Sequence, residues 1–254
     1  MRFSHVFVAR PRQEAEELAD LLAPLGVQAV VQPAFDFRPV DCAAEQPELW
    51  AGLEAGGTSR LLIFTSTRAV EFALPQLPPG LIHRCRVAAI GPATAQALQS
   101  AGIPVDVRPP AGFTSEDLLQ TLNEDSPGSV TSSQSAIILA APGGRRKMEE
   151  SLEALGWSVD MLMVYRRENA VLDAEELQKL NGAGSVLSIW TSGNAMQSLA
   201  QRLPSATWLT LCQGDWLVIS ERLMRLARAY GPSGIHLAPG PGNYDLYTAV
   251  KNLV

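Results

Sequence analysis

Residues 61–77, LLIFTSTRAVEFALPQL, return in altered form at 187–203, LSIWTSGNAMQSLAQRL, and this duplication limits the folds open to the chain more than any other feature. Each copy opens on an apolar run of strand length, Leu61-Leu62-Ile63-Phe64 and Leu187-Ser188-Ile189-Trp190. Each then passes through Thr-Ser, at Thr65-Ser66 and Thr191-Ser192, into apolar positions spaced i, i+3, i+4, i+7. These are Val70, Ala73, Leu74 and Leu77 in the first copy and Met196, Leu199, Ala200 and Leu203 in the second, a spacing that puts each set on one helix face. A strand that turns into a helix leaves free N–H groups and the positive end of a helix dipole at the strand's C-terminal edge, where an anion is stabilised. Helix capping alone explains one such turn. Its recurrence points to a duplicated strand-turn-helix unit with a shared role.

The rest of the chain alternates in the same way. Val6-Phe7-Val8-Ala9 leads through Arg10-Pro11-Arg12 into a helix with Ala15, Leu18, Ala19, Leu22 and Leu25 on one face, stopped by Gly26, and residues 27–31 form the next strand. A polar, Pro-containing segment at 33–47 breaks the rhythm and marks a crossing between domains. After the first Thr-Ser turn come Val87-Ala88-Ala89-Ile90, the turn Gly91-Pro92-Ala93-Thr94, a helix ending at Gly102, and a short extended piece at 105–107. A helix opens at Thr114-Ser115-Glu116-Asp117, and residues 123–135, rich in Ser, Gly and Thr, read as a loop. The second half replays the first: Ile137-Ile138-Leu139-Ala140, the turn Pro142-Gly143-Gly144-Arg145, a helix stopped by Gly156, a strand at 159–164, and the second Thr-Ser turn. Apolar runs at 209–211 and 217–219 follow, then a helix opened by Ser220-Glu221-Arg222 and ending at Gly231, and a last helix opened by Gly242-Asn243-Tyr244-Asp245. Thr191 follows Thr65 by 126 residues, Gly231 follows Gly102 by 129 and Gly156 follows Gly26 by 130, so the halves keep register.

Alternating strands and helices imply parallel sheets with right-handed crossovers and helices on both faces. Ligands of such sheets gather at the C-terminal ends of the strands. Six loops of that kind are expected, at 10–12, 65–68, 91–94, 142–145, 191–194 and 220–222. Gly91, Gly143 and Gly144 let backbone N–H groups come close to a ligand, and Ser, Thr and Arg add side-chain donors. Two facing domains would ring one cleft suited to a polyanion. The net charge of −6 argues against a nucleic-acid binder. No apolar run reaches a membrane span, and Met1 to His5 has no signal-peptide organisation, so the cytoplasm is expected. Cys42, Cys85 and Cys212 are far apart, read as reduced and structural, and like the scattered His5, His83 and His236 lack local metal-ligand spacing. The Gly143-Gly144 turn lacks the Lys-Ser/Thr of a P-loop, which argues against ATP.

The ordered set Phe64-Thr65-Ser66-Thr67-Arg68-Ala69-Val70, Ile90-Gly91-Pro92-Ala93-Thr94-Ala95, Pro142-Gly143-Gly144-Arg145 and Val164-Tyr165-Arg166 resembles the uroporphyrinogen-III synthase family, over nearly the whole chain. The resemblance implies an α/β fold of two flavodoxin-like parallel-sheet domains from a duplicated unit, joined by a two-stranded linker. Carried over, residues 1–35 and 171–254 make one domain and 38–165 the other, with linker strands at 36–37 and 166–170. It also implies a monomer without metal or cofactor that closes linear hydroxymethylbilane, a substrate with eight carboxylates, to uroporphyrinogen III. Water is lost and the last pyrrole ring is inverted.

By the same resemblance Tyr165 assists departure of the substrate hydroxyl. Thr65, Ser66 and Arg68, with Thr191, Ser192 and Asn194, match paired carboxylate-binding turns, and Gly91 and Thr94 a further one. Arg10, Gly143, Gly144 and Arg145 are candidates for further carboxylate contacts. The chain departs from the pattern at Ile219-Ser220-Glu221-Arg222-Leu223, where Leu223 stands in the place of a threonine and Ser220 is left to supply the hydroxyl. Two other classes stay open on the residues alone: a non-catalytic two-domain receptor for a tetrapyrrole or other polyanion, and a sugar-nucleotide transferase. The transferase lacks any acidic metal or ribose signal here.

Overall fold

The computed structural model describes residues 2–55, 60–110, 114–125, 134–142 and 147–254. The chain begins with β1 (His5–Val8), α1 (Arg12–Leu22), β2 (Gln28–Val31) and β3 (Phe35–Pro39), followed by α2 (Cys42–Glu45) and α3 (Pro47–Glu54). It continues through β4 (Leu61–Phe64), α4 (Thr67–Ala73), α5 (Leu81–Arg84), β5 (Arg86–Ala89), α6 (Pro92–Ser100), α7 (Ser115–Asp125), β6 (Ser135–Ala140), α8 (Lys147–Ala154) and β7 (Ser158–Met163). The last part holds β8 (Tyr165–Asn169), α9 (Ala174–Gln178), β9 (Val186–Trp190), α10 (Gly193–Arg202), α11 (Ser205–Gln213), β10 (Asp215–Val218), α12 (Glu221–Arg228), β11 (Gly234–Leu237) and α13 (Asn243–Leu253).

These elements form two compact units, Met1–Asp36 with Glu168–Val254, and Phe37–Arg167. In the first unit the sheet order is β11-β10-β9-β1-β2, every neighbour parallel. In the second it is β5-β4-β6-β7, again parallel, with Val107 bridged to Ala88 on the outer side of β5. Matched through the repeat, β9 answers to β4, β10 to β5, β1 to β6 and β2 to β7. The duplication seen in the sequence is therefore a duplication of sheet order.

The central strands β1, β4, β6, β9 and β10 are buried on both faces, as parallel strands under helices must be. Val6, Val8, Leu187 and Ile189 point to the face that carries Leu18 and Leu246, whereas Phe7 and Trp190 point to the face that carries Met196, Leu199 and Leu223. In the second unit Leu62, Phe64, Ile137 and Leu139 pack with Val70, Ala73 and Leu98, and Leu61, Ile63 and Ile138 pack with Leu118 and Leu152. Full burial of each such Leu, Ile or Phe contributes about 1.5–3 kcal/mol. The glycines that stop helices in the sequence, Gly26, Gly102, Gly156 and Gly231, all take left-handed φ between 69 and 84°, which a side chain would resist.

One sequence expectation needs correction, and two stretches left without an assigned element acquire one. Residues 123–125 continue α7 instead of opening a loop: the apolar face ends at Leu122, but the backbone ladder runs on to Asp125. Residues 126–133 of that expected loop lie outside the described residues. The apolar run 209–211 belongs to α11, in which Leu211 is buried and Leu209 is 57% exposed, so the two point to opposite sides. The segment read as a polar interruption holds β3 and α2, and α3 and β11 show no clear period because each buries little of its surface.

The chain leaves and re-enters the first unit within β3 and β8, which pair with each other as a two-stranded sheet. Flanking bonds run from Val40 N to Val164 O and from Ala170 N to Ala34 O, so the strands are antiparallel. Repeat-equivalent residues grip the ends of this ribbon: Arg202 donates to the carbonyls of Ala34 and Ala170, and the Gln76 Oε1 accepts from Cys42 N at 3.2 Å. Cys42 is fully buried, and burial first, then Asp41 and Glu45, push its thiol up to about 11. Because this folded value lies above the unfolded one, its contribution to stability is complete below about pH 9 and is lost as pH rises through 11. Iodoacetamide at pH 8 is accordingly expected to leave Cys42 unmodified in the native chain while the half-buried Cys85 and Cys212 react first, as read by peptide mass mapping.

Candidate functional site

In a doubly wound sheet the ligand site lies where successive crossovers diverge to opposite faces. In the first unit this point falls between β1 and β9, since α1 packs on one face and α10 on the other. In the second unit it falls between β6 and β4, with α8 and α4 on opposite faces. The loops at these points carry Arg10 and Thr191-Ser192 in one unit and Thr65-Ser66 in the other. Gly143, Gly144 and Arg145, which follow β6, lie outside the described residues.

Both Thr-Ser turns are built alike. Ser66 is the N-cap of α4 with φ −166°, and its Oγ accepts from Ala69 N at 3.1 Å. Ser192 is the N-cap of α10 with φ −143°, and its Oγ accepts from Ala195 N at 3.4 Å. A serine hydroxyl used this way accepts from the helix and keeps its own proton to donate. Thr65 differs, because its Oγ1 donates to Leu139 O on β6 at 2.8 Å and ties the turn to the sheet edge. Thr191 is half-buried and Asn194 exposed. Removing the caps by Ser66→Ala or Ser192→Ala is expected to cost about 1 kcal/mol each, measured by denaturant unfolding.

Tyr165, the first residue of β8, reaches the turn of the second unit, its hydroxyl 3.4 Å from Ser66 Oγ. Its ring stacks on Phe72 of α4 at 5.4 Å and meets Phe37 of β3 tilted by 59° at 6.0 Å. The guanidinium of Arg68 sits 3.9 Å over the Phe37 ring. One hydroxyl donor, one phenol and one cation are thus collected at the C-terminal edge of β4. Sequence reasoning finds Tyr165, Ser66 and Arg68 but misses Phe37 and Phe72. The apolar-polar alternation Phe35-Asp36-Phe37-Arg38 is the available signal for Phe37.

The remaining candidates are distributed as follows. Gly91 caps α6 in an extended conformation, φ −160°, and Thr94 is buried in the first turn. Ser220 caps α12 in nearly the same conformation, φ −162°, with its Oγ accepting from Leu223 N at 3.3 Å. Leu223, in the place of Thr94, is buried, and its Cδ2 lies 3.4 Å from where a Cβ on Gly193 would stand, with Leu226 Cδ2 at 3.0 Å. The second unit has Thr67 where the first has Gly193, so bulk lost at one position is supplied by Leu223 at the other. Leu223, in the place of the expected threonine, fills the space beside Gly193.

Arg10 is half-buried and donates to Pro241 O at 2.6 Å, while its Nε is buried with no partner among the described residues. Burial lowers its pKa, with Glu14 and Glu17 opposing that shift. Among the described residues no group of His, Cys, Asp and Glu side chains is arranged to hold a metal ion, and no helix is long and apolar enough to cross a membrane.

Comparison with known proteins agrees with this fold. The family described as uroporphyrinogen-III synthase HemD matches residues 16–247. The uroporphyrinogen-III synthase of Escherichia coli (strain K12) is 32% identical over 253 residues, covering 97% of this chain and 99% of that protein. The enzyme of the same name from Salmonella typhimurium is 32% identical over 254 residues, with the same coverage. Among solved structures, the uroporphyrinogen-III synthetase of Helicobacter pylori 26695 superposes with a TM-score of 0.63 at 17% identity over the whole of both chains. A mutant uroporphyrinogen III synthase of Thermus thermophilus gives 0.60 at 19% identity over 98% of each. These two share the fold, and the family match with the more similar sequences carries the assignment: the chain belongs to the uroporphyrinogen-III synthase family.

Proposed function

We propose that the chain cyclises hydroxymethylbilane to uroporphyrinogen III, acting in the cytoplasm as a monomer without a cofactor. The observation that carries this reading is the Tyr165 phenol held beside the Ser66 and Arg68 turn at the edge of β4. Tyr165 donates a hydrogen bond to the terminal hydroxyl of the substrate, the C–O bond breaks, and water leaves as the adjoining pyrrole becomes an azafulvene. The substituted carbon of the last ring then attacks the exposed methylene carbon to form a spiro intermediate. The older bond from that ring to its neighbour opens, the freed methylene carbon closes onto the unsubstituted carbon, and that carbon loses its proton as the pyrrole is restored, which leaves the ring inverted. No oxidant or reductant is consumed.

Holding the chain so that this attack outruns direct closure is a matter of orientation. Ser66 with Arg68, and Ser192 with Thr191 and Asn194, bind carboxylates of the eight-carboxylate substrate, with Thr65, Gly91, Thr94 and Ser220 shaping their turns. Gly143, Gly144 and Arg145 extend the same role to the stretch that follows β6 in sequence. Arg10, already bonded to Pro241 O, is a weaker donor to substrate than its neighbours. An Escherichia coli strain lacking its own uroporphyrinogen-III synthase is expected to regain growth without added haem when supplied with this chain. Continued dependence on haem with the folded chain present would overturn the reading.

A further inference from the structure

The aromatic rings around Tyr165 are neither capping residues nor part of any turn that binds carboxylate, yet they set where the reactive groups stand. The Tyr165 hydroxyl lies 3.4 Å from Ser66 Oγ, longer than the 2.5–3.0 Å of a firm O–H···O bond, so hydrogen bonding does not fix the phenol. What holds it is stacking on Phe72, with the ring planes 24° apart, and the tilted contact with Phe37. Phe37 also carries the guanidinium of Arg68 at 3.9 Å, well within the range of a cation–π contact. A guanidinium seated on a ring has fewer orientations to lose when it meets a carboxylate, and its planar fork of donors is the part that binds. Phe37 is only half-buried on a five-residue strand, so the core does not account for an aromatic there.

We propose that Phe37 and Phe72 are positioning residues of this reaction. Phe37 presents Arg68 to a substrate carboxylate, and Phe72 fixes the Tyr165 phenol toward the leaving hydroxyl. This assignment rests on the activity proposed above. It weights the two kinetic constants differently: loss of Phe37 acts chiefly on substrate binding through Arg68, its closer partner at 3.9 Å, and loss of Phe72 acts on turnover through Tyr165.

The test is a pair of double-mutant cycles on the full chain, measuring KM and kcat for hydroxymethylbilane consumption and the ratio of isomer III to isomer I. Phe37→Leu is expected to raise KM about three- to tenfold in the presence of Arg68 and to add less than about twofold in the Arg68→Ala background, with Phe37→Trp restoring KM. Phe72→Leu is expected to lower kcat about three- to tenfold, and to add less than about twofold once Tyr165→Phe is present. Phe37→Ile, which keeps strand propensity, takes the place of Phe37→Leu if the latter lowers the melting temperature. An active parent chain whose single variants lose the same factor with and without their partners would overturn the assignment alone. A folded parent chain with no isomer III activity would overturn the underlying activity and this assignment with it.

Discussion

Tyr165→Phe is expected to lower kcat by about two orders of magnitude with KM changed less than about twofold, the signature of a group used in the transition state and not in binding. The ring contacts with Phe72 and Phe37 involve only carbon, so the variant keeps its packing and loses one hydroxyl. The polar neighbour the phenol gives up is Ser66 at 3.4 Å, and Ser66 keeps its own bond to Ala69 N. Stability is therefore expected to stay within about 0.5 kcal/mol of the parent. Single-turnover kinetics and a thermal melt on the same preparation check both halves. A tenfold rise in KM with kcat intact would move Tyr165 from the chemistry to substrate binding.

The largest expected effect on stability is at Gly214, where α11 turns into β10. A Cβ there would stand 2.2 Å from the carbonyl oxygen of Val186 and 3.1 Å from its carbon, both backbone atoms at the start of β9. Gly214 is in an ordinary extended conformation, φ −91°, so the obstacle is the close approach and not the backbone angle. Gly214→Ala must push β9 and β10 apart at their paired ends, where Leu187 lies opposite Asp215. A loss of about 3 kcal/mol is expected, lowering the melting temperature by roughly 6–12 °C. Trp190, Trp208 and Trp216 lie with ring centroids 5.1–6.0 Å apart in the same unit, so the near-UV circular dichroism of that cluster follows the transition. The second unit, Phe37–Arg167, is expected to keep its own melting behaviour.

Much of this architecture is legible in the sequence because its signals are local. The Thr-Ser turns and the helix stops at Gly26, Gly102, Gly156 and Gly231, which keep a nearly constant offset between halves, each depend on a few consecutive residues whose chemistry has one common use. What stays hidden depends on partners remote in the chain. Phe37 acquires its role only because β3 and β8 pair, which brings it to Tyr165 and Arg68. Arg10 resembles any solvated arginine at a helix start, and its bond to Pro241 spans most of the sequence. The packing of Leu223 against Gly193 is hidden for the same reason, since the two lie in different turns. The run 209–211 is ambiguous for a simpler reason, since three apolar residues have no measurable period.

The most direct measurement is to add freshly generated hydroxymethylbilane to the purified chain and separate the oxidised products by chromatography. Isomer III is expected well in excess over a control without protein, at a rate proportional to the amount of chain. Isomer I alone, with the bilane bound and the chain folded, would contradict it and leave a receptor for a polycarboxylate in place of the enzyme.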